Sequence, residues 1–271
     1  MDGVHGSGAI EHRTLDLASF ASVRAFARGL IEDGVEVDAI ILNAATMKAG
    51  SVSEDGIELM YQVNHLSHFL LAHLVKPILR PRARVVWTSS SMHFSGAVNR
   101  AAYSASAKNR GADTAVRGIP LYSDTKLFNA MAAAQMDADA QRAANGADGA
   151  PPLADALCAS SHHPGFVHSQ LDAEAPPPMK YVVPLLRKLF ARDTPSGALT
   201  TARIATDFAL GRSGAPGSAA CGRYLSDDCI NDLCRGLVAH RATRDAEALR
   251  WLYNTSVALV GGLSLDADFS V

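Results

Sequence analysis

Short strand-like runs alternate with longer helical runs along the chain, and this alternation constrains the fold more than any other feature. Val37–Leu42 and residues 84–88 are apolar runs that end in small polar residues, and residues 153–161 and 223–225 are weaker candidates. The pattern predicts an α/β fold, a Rossmann-like doubly wound parallel sheet with flanking helices. Apolar residues recur at helical spacing over 18–33, 54–79, 121–144 and 196–210, which are the predicted helices.

Three segments interrupt this pattern within what we interpret as one domain of 271 residues. Residues 93–118 form an insertion rich in Ala, Ser and Gly, and residues 143–152 are a short connector. Residues 170–192 contain three consecutive prolines followed by an apolar stretch, which predicts a substrate flap. A short helix packed on the body or at an interface explains that stretch equally well.

Composition predicts a globular protein outside the nucleic-acid-binding classes. Nearly half of the residues are hydrophobic, and 25 Lys and Arg almost balance 27 Asp and Glu, with no basic run. The four cysteines show no C-x-x-C spacing and no disulfide framework, which favours a reducing compartment. No signal peptide, transit peptide or transmembrane run is recognisable, so we expect a cytoplasmic protein or one dissolved within an organelle.

Tyr122 and Lys126 stand four residues apart in a predicted helix, so their side chains are expected on one face. A cation close to a phenol stabilises the phenolate and lowers the pKa of the tyrosine from its ordinary value of about 10. Such a tyrosine can exchange a proton near neutral pH. By itself, the spacing is also typical of a surface pair on a helix.

Asn43, Ala44 and Ala45 close the strand from Val37, at the edge where open parallel sheets bind ligands. Small residues let a ligand approach the backbone there, although Asn43 is also typical of an ordinary strand end. Asn64 is an amide within a predicted helix, and it either faces water or finds buried partners. One role for a buried amide is to hold a water molecule beside a reactive lysine.

Ser90 follows the second strand, where its hydroxyl group can donate a hydrogen bond to a substrate carbonyl. Pro164 and Gly165 form a turn whose backbone can face a nicotinamide carboxamide, although both features also occur in ordinary loops. Three nearby histidines invite interpretation as a zinc site but lack the companion carboxylate or thiolate of a catalytic metal. We therefore predict no metal site, and packed or solvated side chains at His65, His68 and His73.

Taken in chain order, these motifs resemble the short-chain dehydrogenase/reductase family, and the likeness extends from about Leu15 to the C-terminus. Residues 43–46, 61–70 and 222–228 look closest to the branch of retinol dehydrogenases and the WW-domain-containing oxidoreductase. The resemblance implies an NADP- or NAD-dependent oxidoreductase that interconverts an apolar alcohol and its carbonyl compound, retinoid-, steroid- or lipid-like. It also implies a homodimer that pairs through the tyrosine-bearing helix.

The resemblance assigns roles to a catalytic tetrad. Tyr122 exchanges a proton with the substrate oxygen, and Ser90 polarises that oxygen. Lys126 lowers the pKa of Tyr122 and binds the nicotinamide ribose, and Asn64 holds the water of a proton relay. The residues implied in cofactor binding are Asp16, Leu17, Asn43, Ala44, Ala45, Tyr122, Lys126, Pro164, Gly165, Val167 and Ser169.

The chain departs from the family pattern at its start, where the first strand, the glycine-rich turn and the second strand are missing. The glycines at positions 3, 6 and 8 lack the preceding apolar strand and following helix that a phosphate turn needs. We therefore expect an N-terminally truncated sheet in which the strand from Val37 has an unpaired edge. Ser90 and Tyr122 also stand 32 residues apart, which exceeds the family's usual interval.

Two other functions remain open at this point. The motif around Tyr122 also resembles protochlorophyllide reductases, although the insertion at 93–118 lacks the cysteine expected of a proton donor there. A chain without the phosphate turn is also consistent with a non-catalytic fragment or interaction module.

Overall fold

The computed structural model describes residues 9–103, 118–145, 156–167, 171, 191, 193–206, 221, 224–225 and 240–266. Its sheet contains four parallel strands in the order β1-β2-β3-β4. This confirms the predicted parallel α/β sheet. The strands are β1 (Val37–Leu42), β2 (Leu79–Thr88), β3 (Cys158–His162) and β4 (Tyr224–Leu225).

The predicted helices are confirmed in type, with shifted ends. A π-helical turn, Gln62–Leu66, separates α2 from α3, so the predicted helix at 54–79 is shorter and interrupted. The last helix was not predicted, although Asp245 caps it and its apolar residues recur at helical spacing. The helices are α1 (Phe20–Glu32), α2 (Leu59–Tyr61), α3 (Ser67–Leu74), α4 (Gly118–Ala144), α5 (Thr194–Thr206) and α6 (Ala246–Leu259).

Two prolines explain why β2 begins earlier than predicted. Pro77 lies in a 3₁₀ turn, and the residue before a proline disfavours the α conformation, so the helix has ended by then. Pro81 then falls inside the strand, beside Arg82 with its positive φ of 66°. The pairing of β1 with β2 shifts register at this irregularity.

The edge of the described sheet at β1 agrees with expectation, whereas the segment before α1 does not. Within the described residues β1 pairs only with β2, as expected for a strand with an unpaired edge. Asp16 and Leu17, which the resemblance implies in cofactor binding, belong to a turn that leads into α1 and not to a strand. There Asp16 Oδ1 accepts a hydrogen bond from the Ala18 amide (2.8 Å), which favours a turn over a strand.

The absence of a disulfide was predicted wrongly. Cys158 and Cys221 are joined, with an S–S distance of 2.16 Å and a Cα–Cα distance of 5.0 Å. Ser161 of β3 pairs with Tyr224 of β4, and each cysteine stands three residues before one member of this pair, so the pairing of the two strands brings the cysteines close together. Spacing rules miss such a pair because 63 residues separate the two cysteines.

The helix α4 is buried between the sheet and α6. Phe128 is fully buried and contacts Tyr61, Tyr103 and Trp251 with ring centroids 4.9–6.3 Å apart. A homodimer through α4 stays a prediction, and the part of α4 that α6 covers is not available to it. Across the helices that the structure describes, none combines the length and hydropathy needed to cross a bilayer.

Parts of all three segments that interrupt the predicted pattern lie outside the described residues. These are residues 104–117 of the insertion, residues 146–152 of the connector and, except for Leu171 and Ala191, residues 170–192 of the flap. The glycines at positions 3, 6 and 8 and the predicted cofactor residue Ser169 also lie outside them.

Candidate active site

The predicted site residues meet at one edge of the sheet because the carboxyl ends of parallel strands share that edge. Asn43 follows β1, Ser90 follows β2, and Pro164 follows β3. Tyr122 and Lys126 lie in the first turns of α4, where the Ser89 hydroxyl donates to the Lys126 carbonyl (2.7 Å). This bond attaches the start of α4 to the end of β2.

Tyr122 and Ser90 are in contact despite their separation in sequence. The Ser90 side chain lies close enough to the phenol of Tyr122 to lower its pKa, and Tyr122 is only 5% exposed. Ser90 Oγ also accepts a hydrogen bond from the Met92 amide (3.2 Å), which leaves its own proton for the tyrosine oxygen. The long interval between the two residues therefore does not prevent them from sharing a site.

Lys126 lies beneath the tyrosine ring. Its Nζ is 5.6 Å from the centroid of the Tyr122 ring, and it donates a hydrogen bond to the Thr88 carbonyl (3.1 Å). Lys126 is 2% exposed, and burial lowers its pKa to about 8. The two residues thus lie on one helix face, as their spacing predicts.

The pKa of Tyr122 differs from the sequence-based expectation. Burial raises it to about 12, and the Ser90 side chain opposes that rise. The prediction that Lys126 lowers it below its ordinary value is wrong for this arrangement. The reason is that the helical spacing indicates the direction of the side chains but not the loss of water around the phenol.

Asn64 lies in the π-helical turn and is fully buried. Its Oδ1 accepts from the Thr46 amide (2.8 Å) and its Nδ2 donates to the Thr46 carbonyl (2.9 Å). Nδ2 also lies 3.4 Å from Thr125 Oγ1. The side chain therefore holds the loop after β1 against α4, and its role in a water relay stays a prediction.

The loop after β1 leaves its first residues accessible. Asn43 and Ala44 are exposed and Ala45 is half-buried. Asn43 Oδ1 accepts a hydrogen bond from the Thr88 side chain (3.3 Å), which links the ends of β1 and β2. Small, accessible residues at this edge suit a ligand that approaches the backbone.

The turn after β3 has a conformation that requires glycine at one position. Gly165 has a φ of 81°, a region that side chains disfavour, and its amide donates to His163 Nδ1 (3.1 Å). Val167 packs against Gly197 of α5 so closely that a Cβ on that glycine would overlap it. Pro164, which directly precedes Gly165, is half-buried.

Sequence reasoning missed an aromatic group beside Ser90. His93 Nδ1 donates to the Ser90 carbonyl (2.7 Å), and its ring packs against Phe94 and Tyr224. Burial lowers the pKa of His93 to about 4, so the ring is neutral at pH 7. Phe94 and Phe166 are 43% and 42% exposed, which places apolar surface next to two predicted site segments.

The residues present fit a nicotinamide cofactor. An ammonium group has three N–H donors, and among the described residues Lys126 is bonded to one acceptor, the Thr88 carbonyl. Its remaining donors suit ribose hydroxyl groups, and the exposed Asn43 and Ala44 leave the adjoining edge open. Lys126 and the segment at residues 43–45 would therefore hold such a cofactor.

Two of the three histidines considered for zinc have hydrogen-bond partners among the described residues. His65 bonds Asn129 and Ser256, and His73 Nδ1 donates to the Phe69 carbonyl (2.8 Å). In the described part of the chain, one group of three metal-type ligand atoms lies within 4.8 Å. Two of its members, Cys158 and Cys221, are joined as a disulfide and so offer no thiolate.

Fold and site together define an α/β protein with a candidate ligand site at the carboxyl edge of its sheet. The family model described as short chain dehydrogenase matches residues 4–109. Human retinol dehydrogenase 14 is 40% identical over 100 residues, or 36% of this chain and 30% of that protein. Human dehydrogenase/reductase SDR family member 13 is 31% identical over 273 residues, or 97% of this chain and 63% of that protein. The chain is thus similar to members of the short-chain dehydrogenase/reductase family.

Solved structures share the fold at low identity. A Mycobacterium paratuberculosis protein matches with a TM-score of 0.61 and 23% identity, over 98% of this chain and 80% of that one. A short chain dehydrogenase from Burkholderia cenocepacia, crystallised with NADP, matches with a TM-score of 0.51 and 16% identity. The match covers 79% of this chain and 73% of that one. The chain spans less than two thirds of the length of the two human relatives.

Proposed function

We propose that this chain carries the proton-transfer site of an NADP- or NAD-dependent oxidoreductase that interconverts an apolar alcohol and its carbonyl compound. The observation that carries the proposal is the convergence of Ser90 and Lys126 on Tyr122. A buried phenol beside a hydroxyl group, with an ammonium beneath its ring, is suited to exchange a proton with a substrate oxygen.

Each residue has a distinct role in the reduction of a carbonyl compound. Tyr122 donates its proton to the substrate oxygen as negative charge develops there, and Ser90 donates a hydrogen bond to the same oxygen. Lys126 stabilises the phenolate that remains. A nicotinamide cofactor, when bound, supplies the hydride. Lys126, Asn43 and Ala44 would hold it.

The cofactor and the substrate class have separate support. NADP is bound in the Burkholderia cenocepacia structure, and retinol appears in the name of a human relative that is 40% identical over 100 residues. Phe94 and Phe166 present apolar surface near Ser90 and Gly165, which suits an apolar substrate. We therefore propose a retinoid-, steroid- or lipid-like alcohol or aldehyde.

A Tyr122→Phe variant tests the proposal. Reduction of decanal and of retinal by NADPH should fall by about 10²-fold or more, because general acid catalysis contributes about 10²–10⁴-fold. Tyr253→Phe is the matched control, since that tyrosine lies on α6 beside His73 and away from Ser90. Undiminished turnover in Tyr122→Phe would remove the assignment.

Two further measurements separate the alternatives. Nicotinamide fluorescence should rise when NADPH is mixed with the wild-type chain, and no change at millimolar cofactor would favour a non-catalytic interaction module.

In the wild-type enzyme, the reduction rate should fall as the pH rises through about 8, because Lys126 then loses the charge that stabilises the phenolate. A rate that is flat from pH 7 to pH 10 would contradict this role.

A further inference from the structure

The carbonyl group that ends β2 accepts two hydrogen bonds from α4. The Thr88 oxygen is 3.1 Å from Lys126 Nζ and 3.2 Å from Asn129 Nδ2. Lys126 and Asn129 are three residues apart and therefore lie on the same helix face. The amide and the ammonium thus share one acceptor beneath Tyr122.

The hydrogen-bonded chain continues through His65 to α6. Asn129 Oδ1 is 3.2 Å from His65 Nδ1, and His65 Nε2 is 3.1 Å from Ser256 Oγ. Asn129, His65 and Ser256 are all fully buried. Buried polar groups with every partner in place hold one geometry, and each lost partner is costly.

The direction of every bond in this chain follows from its first acceptor. The Thr88 carbonyl can only accept, so Asn129 turns its Nδ2 toward it and its Oδ1 toward His65. His65 must then carry its proton on Nδ1, and its Nε2 accepts the hydroxyl proton of Ser256. Burial lowers the pKa of His65 to about 4, which agrees with this neutral ring.

We infer that Asn129, held by His65 and Ser256, is a positioning residue that fixes the Thr88 carbonyl where Lys126 needs it. The inference rests on the proposed function, in which Lys126 supports Tyr122. Through these hydrogen bonds, α6 sets the location of the Lys126 ammonium beneath the Tyr122 ring. None of the three residues touches Tyr122 in this scheme.

A positioning role and a purely structural role of Asn129 predict different changes in the pKa of Lys126 when Asn129 is replaced. If Asn129 only fills space, its removal leaves the whole carbonyl to Lys126, and the pKa of Lys126 stays the same or rises. If Asn129 positions the carbonyl, its removal lets that peptide group turn away. The buried ammonium then loses its partner, and the pKa of Lys126 falls.

An NMR titration of ¹³C-labelled lysine in the full chain measures this directly. The Lys126 midpoint, near pH 8 in the wild type, should fall by about one pH unit in Asn129→Leu, since hydrogen bonds to charged groups have that strength. Gln135→Leu is the matched control, because that amide lies on α4 but bonds Asp139 (2.8 Å). An unchanged or higher midpoint in Asn129→Leu would overturn the inference.

The neighbouring titratable groups do not confuse this measurement. His68 and His162 interact electrostatically with Lys126, but burial lowers their pKa values to about 3 and about 4. Burial raises the pKa of Tyr122 to about 12. Lys126 is therefore the member of this group that titrates near pH 8.

A second variant, at the α6 end of the hydrogen-bonded series of side chains, serves in case Asn129→Leu does not fold. In wild-type protein, ¹⁵N NMR should show the His65 proton on Nδ1. Ser256→Ala removes the donor to Nε2, so His65 should become a mixture of tautomers and the Lys126 midpoint should fall by a few tenths of a pH unit. Thr255→Ala, its buried neighbour, should change neither value.

Two results would contradict the hydrogen-bonded chain. One is a wild-type His65 proton on Nε2, and the other is a mixed tautomer in Ser256→Ala with an unchanged Lys126 midpoint. Both measurements are independent of turnover. A failure of the proposed function would show instead as full activity in Tyr122→Phe, so the two failures are distinguishable.

Discussion

Where β2 ends, the residues proposed for catalysis are enclosed by α4 and α6, whereas the end of β1 that would meet the cofactor is open. The last six residues of β2 are all buried, but in β1 only Leu42 is, and Ile41 is 44% exposed. The strands of a parallel sheet are ordinarily covered on both faces. The two ends share one edge of the sheet, so the difference lies in the covering elements and not in the strands.

Asn64 connects these two regions. It lies in the helical segment that packs against α4, and it bonds both backbone groups of Thr46 in the loop after β1. The end of β2 is held by bonds from several elements, while the described contacts of the open loop depend largely on this amide and on Thr88. We therefore expect mutations to have unequal effects in the two regions.

Truncation of one buried ring should show the largest difference. Phe128→Ala should lower the free energy of unfolding by about 3–5 kcal/mol, because a cavity opens in a packed aromatic cluster. Ile41→Ala, on the half-exposed strand, should change it by about 1 kcal/mol or less. Urea unfolding measures both values, and equal losses would erase the distinction between the two regions.

Reduction of the disulfide should lower the free energy of unfolding by an intermediate amount, and its local effect should be confined to the side of the sheet that holds β3 and β4. Opening the bond between Cys158 and Cys221 should cost about 2–4 kcal/mol and speed amide exchange at Tyr224 and Leu225 more than in β1. The double variant Cys158→Ser/Cys221→Ser is the control, in which added reductant should do nothing further. Faster exchange in β1 instead of β4 would contradict this assignment.

Loss of the Asn64 amide should have the smallest effect on stability but should reach the cofactor side. Asn64→Leu leaves both backbone groups of Thr46 without their side-chain partner, which should cost about 1–3 kcal/mol and weaken NADPH binding. Asn254→Leu, at an exposed site on α6, should leave both quantities unchanged. Wild-type affinity in Asn64→Leu would separate that amide from the cofactor loop.

The predictability of the site varied with the kind of contact involved. Helical spacing placed Tyr122 and Lys126 on one face, because backbone geometry alone sets that relation. The pKa of Tyr122 was predicted in the wrong direction, because it depends on burial by residues distant in sequence. His93 and Tyr224 were missed for a similar reason, since they meet only when β4 joins the sheet.

By itself, the sequence determined the kind of fold, most of its strands and helices, and the residue types that suit proton transfer, because apolar periodicity and local spacing are properties of neighbouring residues. Only the tertiary structure decided which partners those residues meet. Cys158 is joined to Cys221 by a disulfide. Asn129 forms hydrogen bonds with Thr88 and His65, and Asn64 with Thr46. Such contacts depend on strand register and helix packing, which bring together groups that no local pattern relates.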